Sequence, residues 1–292
     1  MRAYSLLPAS LGGLLLLAGL VSPAAANDTG GKLLATGGVT QLEGAAGGGL
    51  TPWAVIGGYD TAGQVGANAF YTRVQSGSYS LNSYGALVGI ANRVELTVAR
   101  QSFNTEDVGG LLGLGKGYTF NQTIVGAKVR LAGDAVLEQD SWLPQIAVGA
   151  QYKHNDQGAV LRAIGARHDG GTDFYVSATK LFLAQSLLVD ATVRFTKANQ
   201  IGILGFGGKD DSYHVEPEGS VAYLLSRDFL IGAEYRKKPD NLAIAHEDDW
   251  YDLFVAWVPT KNISVTVAFA PLGNIVIRDH QNAAYLSLQV GF

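Results

Sequence analysis

Ser212, His214 and Glu216 stand at i, i+2 and i+4. On a β-strand that spacing puts all three on one face, where a hydroxyl, an imidazole and a carboxylate are the parts of a nucleophile, its base and the acid behind it. Same-face neighbours are about 7 Å apart along a strand, long for direct hydrogen bonds, so a hydrolase is only the alternative reading and no catalytic residue is assigned. The five His, at 154, 168, 214, 246 and 280, lie near Asp169, Asp173, Asp210, Asp211, Glu247, Asp248, Asp249 and Asp279. Imidazole and carboxylate together can hold a divalent metal, but no pair has the helical i, i+4 spacing or the H-x-x-E-H order of a committed site. The glycine-rich run from Gly44 to Gly49 lacks the Lys-Ser/Thr ending and the following helix of a phosphate-cradling loop. With no Cys in the chain there is no thiolate site or disulfide. No metal and no cofactor is expected. Balanced charge, 21 basic against 25 acidic residues, excludes the basic field that nucleic-acid binding needs.

The larger chemical group is a set of charges that strand parity sends to one side: Arg73, Lys128, Arg130, Lys153, Arg194 and Arg236 against Glu95, Asp173, Asp190, Glu216, Glu218, Glu234 and Asp252. Six positive and seven negative groups nearly cancel. A dry interior tolerates such charges only when they are paired, and the many inward Gly, Ala, Ser and Thr leave room for water. These thirteen are therefore expected to line a lumen. Lys128, Arg130 and Arg194 are expected on one wall and Glu216, Glu218 and Asp252 on the other.

The elements that position them repeat with period two. From 187 to 197, Leu187, Val189, Ala191, Val193 and Phe195 alternate with Asp190, Thr192, Arg194 and Thr196. Comparable segments at 36 to 43, 53 to 60, 66 to 75, 80 to 90, 94 to 104, 120 to 131, 142 to 154, 172 to 183, 213 to 225, 229 to 238, 248 to 258, 262 to 271 and 282 to 292 make about 14 strands, with 12 as the fallback because the first three are weak. Alternation alone fits both a soluble sandwich and a membrane barrel. Connections decide between them: they are short at 91–93, 184–186, 226–228 and 260–262, and long at 105–119, 155–171, 199–212, 239–247 and 272–281. Connection 132–141 is longer but falls on the short side. Aromatics on the apolar face form two belts, Trp142, Phe182, Tyr223, Phe229 and Trp257 near the short turns and Tyr152, Phe174, Phe195, Tyr213, Tyr235, Tyr251 and Phe269 near the long loops. The fold class is all-β, a transmembrane antiparallel up-and-down β-barrel.

Residues 1–26 have the pattern of an export signal: Arg2, an apolar stretch from Leu11 to Val21, and Ala24-Ala25-Ala26 as the cleavage site. The barrel then occupies 27–292. The chain ends with Leu286, Leu288, Val290 and Phe292 on one face, which resembles the terminal signal that bacterial outer-membrane barrels present to their assembly machinery, with Phe292 as its key residue. The segment from Gly37 to Tyr59, GGVTQLEGAAGGGLTPWAVIGGY, resembles the opening of an uncharacterised family of exported proteobacterial proteins known only as a domain of unknown function. That resemblance implies an outer-membrane barrel and no activity. The expected function is a passive, weakly selective channel for small polar solutes, with a lipid hydrolase or a structural or adhesive barrel as alternatives. Expected partners are outer-membrane lipid, lipopolysaccharide with its bridging cations, and the barrel assembly machinery.

Overall fold

The computed structural model describes residues 39–292 together with Lys32, Leu34 and Gly37. The expected export signal lies outside the described residues. Twelve strands form the wall: β1 (Val65–Ser76), β2 (Ser80–Ile90), β3 (Val94–Asn104), β4 (Thr119–Ala132), β5 (Gln145–Asn155), β6 (Gly170–Phe182), β7 (Leu187–Thr196), β8 (His214–Leu224), β9 (Phe229–Arg236), β10 (Trp250–Thr260), β11 (Ile263–Ile275) and β12 (Arg278–Gly291). Each pairs antiparallel with its chain neighbour, and β12 returns to β1 from Asn68 opposite Gly291 to Ser76 opposite Ala283, so the sheet closes without an edge.

Strand polarity is reversed relative to a soluble protein. Along β7, Leu188, Asp190, Thr192, Arg194 and Thr196 are buried inside, while Val193 and Phe195 are about two-fifths exposed outside. Outward apolar side chains circle the wall, among them Leu96, Val125, Val176, Val221, Leu253 and Leu286. Such a surface is far larger than a soluble monomer exposes and is what hydrocarbon covers. Rings border this band at both ends. Phe229 and Trp257 stack at 5.9 Å near the short turns, and Tyr235 with Tyr251 (5.1 Å) and Phe174 with Tyr213 (6.0 Å) pack near the long loops.

Short connections and long ones sort to opposite ends. At 91–93 the chain turns with positive φ at Ala91 (54°) and Asn92 (49°), the mirror-image turn that matches strand twist. Connection 133–144 lies at this same end. One connection at the far end is shorter than expected: 272–281 is mostly strand, since β11 and β12 continue to a turn at 276–277, while β1 and β2 join at this end through 77–79.

Two segments expected as strands, 36–43 and 53–60, are not strands in their described residues, Gly37, 39–43 and 53–60. They lie on either side of the Gly44 to Gly49 run, form only the bridges Thr40–Ala46 and Gly47–Pro52, and pass through the inside of the barrel. Twelve strands enclose more width than wall side chains fill. The chain fills that width with its own residues 39–60, every one of which is buried.

Candidate functional site in the occupied lumen

The internal segment, 39–60, is a knot of turns. The amides of Gln41, Leu42 and Trp53 donate to the carbonyls of Ala45 (2.9 Å), Gly49 (3.1 Å) and Ala46 (3.1 Å). Gly47 is required by close approach, because a methyl group there would overlap the backbone carbonyl of Thr51. Buried peptide groups need partners, and the wall supplies those the knot lacks. Glu95 accepts from the amides of Ala46 (3.1 Å) and Gly57 (2.8 Å), while Lys128 donates to the carbonyls of Ala46 and Trp53 (both 3.0 Å) and pairs with Glu95 at 3.1 Å. Thr179 accepts from the Ala54 amide (2.7 Å), and Gln145 donates to the Ala54 carbonyl (2.7 Å). Glu234 accepts from the Leu50 amide and the Thr51 hydroxyl, each at 2.7 Å. Trp53 anchors the short-turn half: its indole donates to Ser220 (2.9 Å) and its rings pack in an apolar cluster with Leu87, Leu181 and Phe254.

In the long-loop half the segment divides the lumen. Glu43 faces β5–β9, where its carboxylate meets Lys153, Arg236 (2.7 Å) and Arg194 (3.7 Å). Lys153 also pairs with Asp173 (2.6 Å), and Arg194 and Arg236 share Glu218 (2.5 and 3.4 Å). Three cations and the two wall carboxylates, Asp173 and Glu218, would leave an uncompensated positive charge in a buried site. Glu43 cancels it. On the other side, Leu42 and Leu50 face an apolar cluster with Phe103, Trp250, Leu272 and Tyr285.

The connection 197–213 folds into the mouth above the segment and places Ile201, Ile203 and Leu204 among buried apolar side chains. Gln200 and Ile201 both have positive φ (42° and 58°), which costs about 1–3 kcal/mol each and must be held by neighbours. The Gln200 amide donates to both oxygens of Glu247 (2.9 and 2.8 Å), and Lys238 donates to the Gln200 side chain (2.8 Å). The Ile201 carbonyl accepts from Lys153 (3.1 Å), so one ammonium holds both the internal segment and the lid. Burial pushes the Glu247 carboxyl up to about 7 against the opposing pull of Lys238.

Among the thirteen residues expected to line the lumen, Glu95, Lys128, Lys153, Asp173, Asp190, Arg194, Glu216, Glu218, Glu234, Arg236 and Asp252 are buried inside. Arg130 is at the short-turn end, paired with Asp134 at 3.3 Å. Arg73 is a correction. It lies between inward Thr72 and Val74, points out of the barrel and donates to Asn82 (2.9 Å). The cause is that β1 borders the apolar side of the lumen and turns Phe70 and Val74 inward, so polarity reverses its parity. The two-wall arrangement of charge is also corrected: Arg194 and Glu218 are on adjacent strands and bind each other, so the charges are neutralised locally. Asp190 takes hydrogen bonds from Thr179 and Thr192, Glu216 pairs with Lys237 at 3.5 Å, and Asp252 stands opposite Glu234.

Ser212, His214 and Glu216 do not come together. The Ser212 hydroxyl donates to Asp210 (2.6 Å), His214 lies 3.4 Å from the same oxygen, and the Ser212 hydrogen bonds hold the Asp210 carboxyl below its usual range. Sequence reasoning missed Glu43, Thr51 and Trp53, the residues that occupy the lumen. Their signal was the glycine run beside them and an inward charge set with no stated partner.

A closed transmembrane barrel whose lumen is filled by its own chain is the class that fold and site define. Residues 36–289 match the family described as "Protein of unknown function (DUF3034)", and the chain belongs to that family. Among curated proteins, none matches the chain. The solved KdgM porin shares the fold, with a TM-score of 0.50 at 13% identity over 77% of this chain and 99% of that one. A NanC porin structure gives 0.48 at 11% identity over 77% and 98%.

Proposed function

We propose that the protein is an outer-membrane channel for small polar solutes, passive and weakly selective, that segment 39–60 keeps closed until it shifts. The observation that supports this reading is the polar character of the contact between segment and wall. A neutral hydrogen bond there contributes about 0.5–1.5 kcal/mol net and one to Glu95, Lys128 or Glu234 about 1.5–3, since water replaces it when the segment moves. The Glu43 cluster acts as the latch, because breaking one partner out of a buried ion-pair set costs about 3–5 kcal/mol. Once the segment moves aside, the charged part of the wall it exposes carries Lys128, Lys153, Arg194 and Arg236 against seven carboxylates, many of them already paired with these cations or hydrogen-bonded. Screening over about 8–10 Å weakens the residual cation preference. The export pattern at 1–26 and the terminal Phe292, whose carbonyl accepts from Tyr59 and Ala67 (both 3.0 Å) at the seam between β12 and β1, support an outer-membrane location and recognition of Phe292 by the assembly machinery.

Planar-bilayer recording under a salt gradient tests the proposal. Wild type should be closed most of the time, and Glu43→Gln should raise the open fraction at least tenfold with a reversal potential near zero. Folded protein that conducts in neither form would remove the channel reading. Strong cation or anion preference would remove the weak-selectivity reading. Ser212→Ala and His214→Ala should leave conductance unchanged.

A further inference from the structure

On the apolar side of the long-loop half, the filling of the lumen leaves a gap. A narrow slot, about 40 Å³ of which admits the centre of a water molecule, runs between Leu42 and Leu50 of the internal segment, Ile203 and Leu204 of the lid, and Phe103 and Leu272 of the wall. Three of the polar groups at its edge are engaged, and the Tyr285 hydroxyl is not. Ser76 donates to Gln281 (2.9 Å), Ser80 to Glu106 (2.9 Å) and the Tyr79 hydroxyl to the Ile275 carbonyl (2.7 Å). A buried water needs two to four polar partners, and apolar cavities without them stay dry and accept hydrocarbons. Two groups point to a ligand rather than to a packing defect: the indole nitrogen of Trp250 and the hydroxyl of Tyr285, both lining residues, are buried with no hydrogen-bond partner.

We propose that this slot is a binding site for a small, uncharged, hydrocarbon-like molecule, at most one polar acceptor of which meets Trp250, and that its occupancy favours opening. The second half rests on the gating reading above. Leu42 lines the slot, and the next residue, Glu43, is the latch. Ile203 and Leu204 line it too, and two residues before Ile203 the Ile201 carbonyl takes a hydrogen bond from Lys153, which also holds Glu43. A molecule that wedges lid from segment therefore strains both contacts of one ammonium.

Bromobenzene is a suitable probe, because its heavy atom quenches indole fluorescence on contact. Full-length protein in lipid nanodiscs should show two quenching components. Outward Trp142 and Trp257 give one that rises linearly with partition into lipid, and Trp250 gives one that saturates and is lost in Trp250→Phe. Two variants that fill the slot, Ala270→Phe on the wall and Leu204→Phe on the lid, should weaken the saturable component at least tenfold while heat-modifiable migration on gels shows the barrel folded. The lid variant keeps the test usable if the wall variant fails to assemble. Linear quenching alone in wild type, or saturable quenching unaffected by both filling variants, would overturn the site. In bilayers bromobenzene should raise the wild-type open fraction several-fold and leave Glu43→Gln unchanged. Saturable binding with no change in wild-type opening would overturn the coupling and leave the site. Failure of Glu43→Gln to conduct, by contrast, would count against the gate and not against the site.

Discussion

The two sides of the long-loop half of the lumen solve one filling problem in opposite ways. On the β5–β9 side, charged wall residues converge on Glu43 and each of Lys153, Arg194 and Arg236 has more than one oxygen partner. On the side formed by β1–β3 and β10–β12, apolar side chains meet Leu42 and leave a slot between them. Leu42 and Glu43 are consecutive in sequence and serve the two sides separately. Charges must be matched one by one because an unpaired buried ion is so costly, whereas apolar contacts tolerate a gap at the smaller cost of lost dispersion. The ionic side therefore fixes where the segment sits, and the apolar side is where something else can enter.

The largest effect should follow from breaking the ionic side. Glu43→Ala leaves Lys153, Arg194 and Arg236 facing only Asp173 and Glu218, and should cost about 3–5 kcal/mol of segment docking. Greater protease cleavage within 39–60, with an intact barrel on heat-modifiable gels, would show it; resistance equal to wild type would place the latch elsewhere. The neighbouring cut on the apolar side, Leu42→Ala, should cost about 2 kcal/mol, the low end for a buried Leu, because the site already borders a cavity. If Leu42→Ala loosens the segment more than Glu43→Ala does, the division of labour is reversed.

How far this comparison could be read from sequence depended on what lies on each side of a strand. β7 was legible because lipid outside and charge inside enforce alternation at every position. β1 was not: it faces the apolar side, and the inward Phe70 and Val74 erase the contrast that would have turned Arg73 outward. The internal segment was harder still. Period two reports a chain buried on one face, but residues 39–60 are buried on all faces and answer to partners far away in sequence, such as Glu95 and Glu234. Short alternating stretches around Val39 and Trp53 thus read as strands. The inward charges were identified as a set, but their pairing was not, because adjacency of Arg194 and Glu218 depends on the β7–β8 register.

A smaller effect concerns pH and the lid. Glu247, pushed up to about 7 by burial, binds a proton in the docked state between its ordinary value and 7, where the undocked carboxyl does not. Its contribution to docking is therefore full below the ordinary carboxylate range and is lost as pH rises through about 7. Hydrogen-exchange protection at the Gln200 amide, corrected for the intrinsic pH dependence, should be higher at pH 5 than at pH 8, and Glu247→Gln should flatten the difference. The smallest effect belongs to the exposed pair Arg100–Asp156, where Arg100→Met should change stability by less than about 1 kcal/mol in contrast to the buried set.

Closure of the lumen by segment 39–60 is open to a direct test, because the chain contains no Cys. Thr51 on the segment and Ser220 on β8 bring their hydroxyls within 2.5 Å of each other, so Thr51→Cys with Ser220→Cys can form a reversible tether. Introduced together into Glu43→Gln and recorded in a planar bilayer, the oxidised pair should abolish the openings and a reducing agent should restore them. Equal conductance in the oxidised and reduced states, with the disulfide verified, would contradict a lumen gated by its own N-terminal segment.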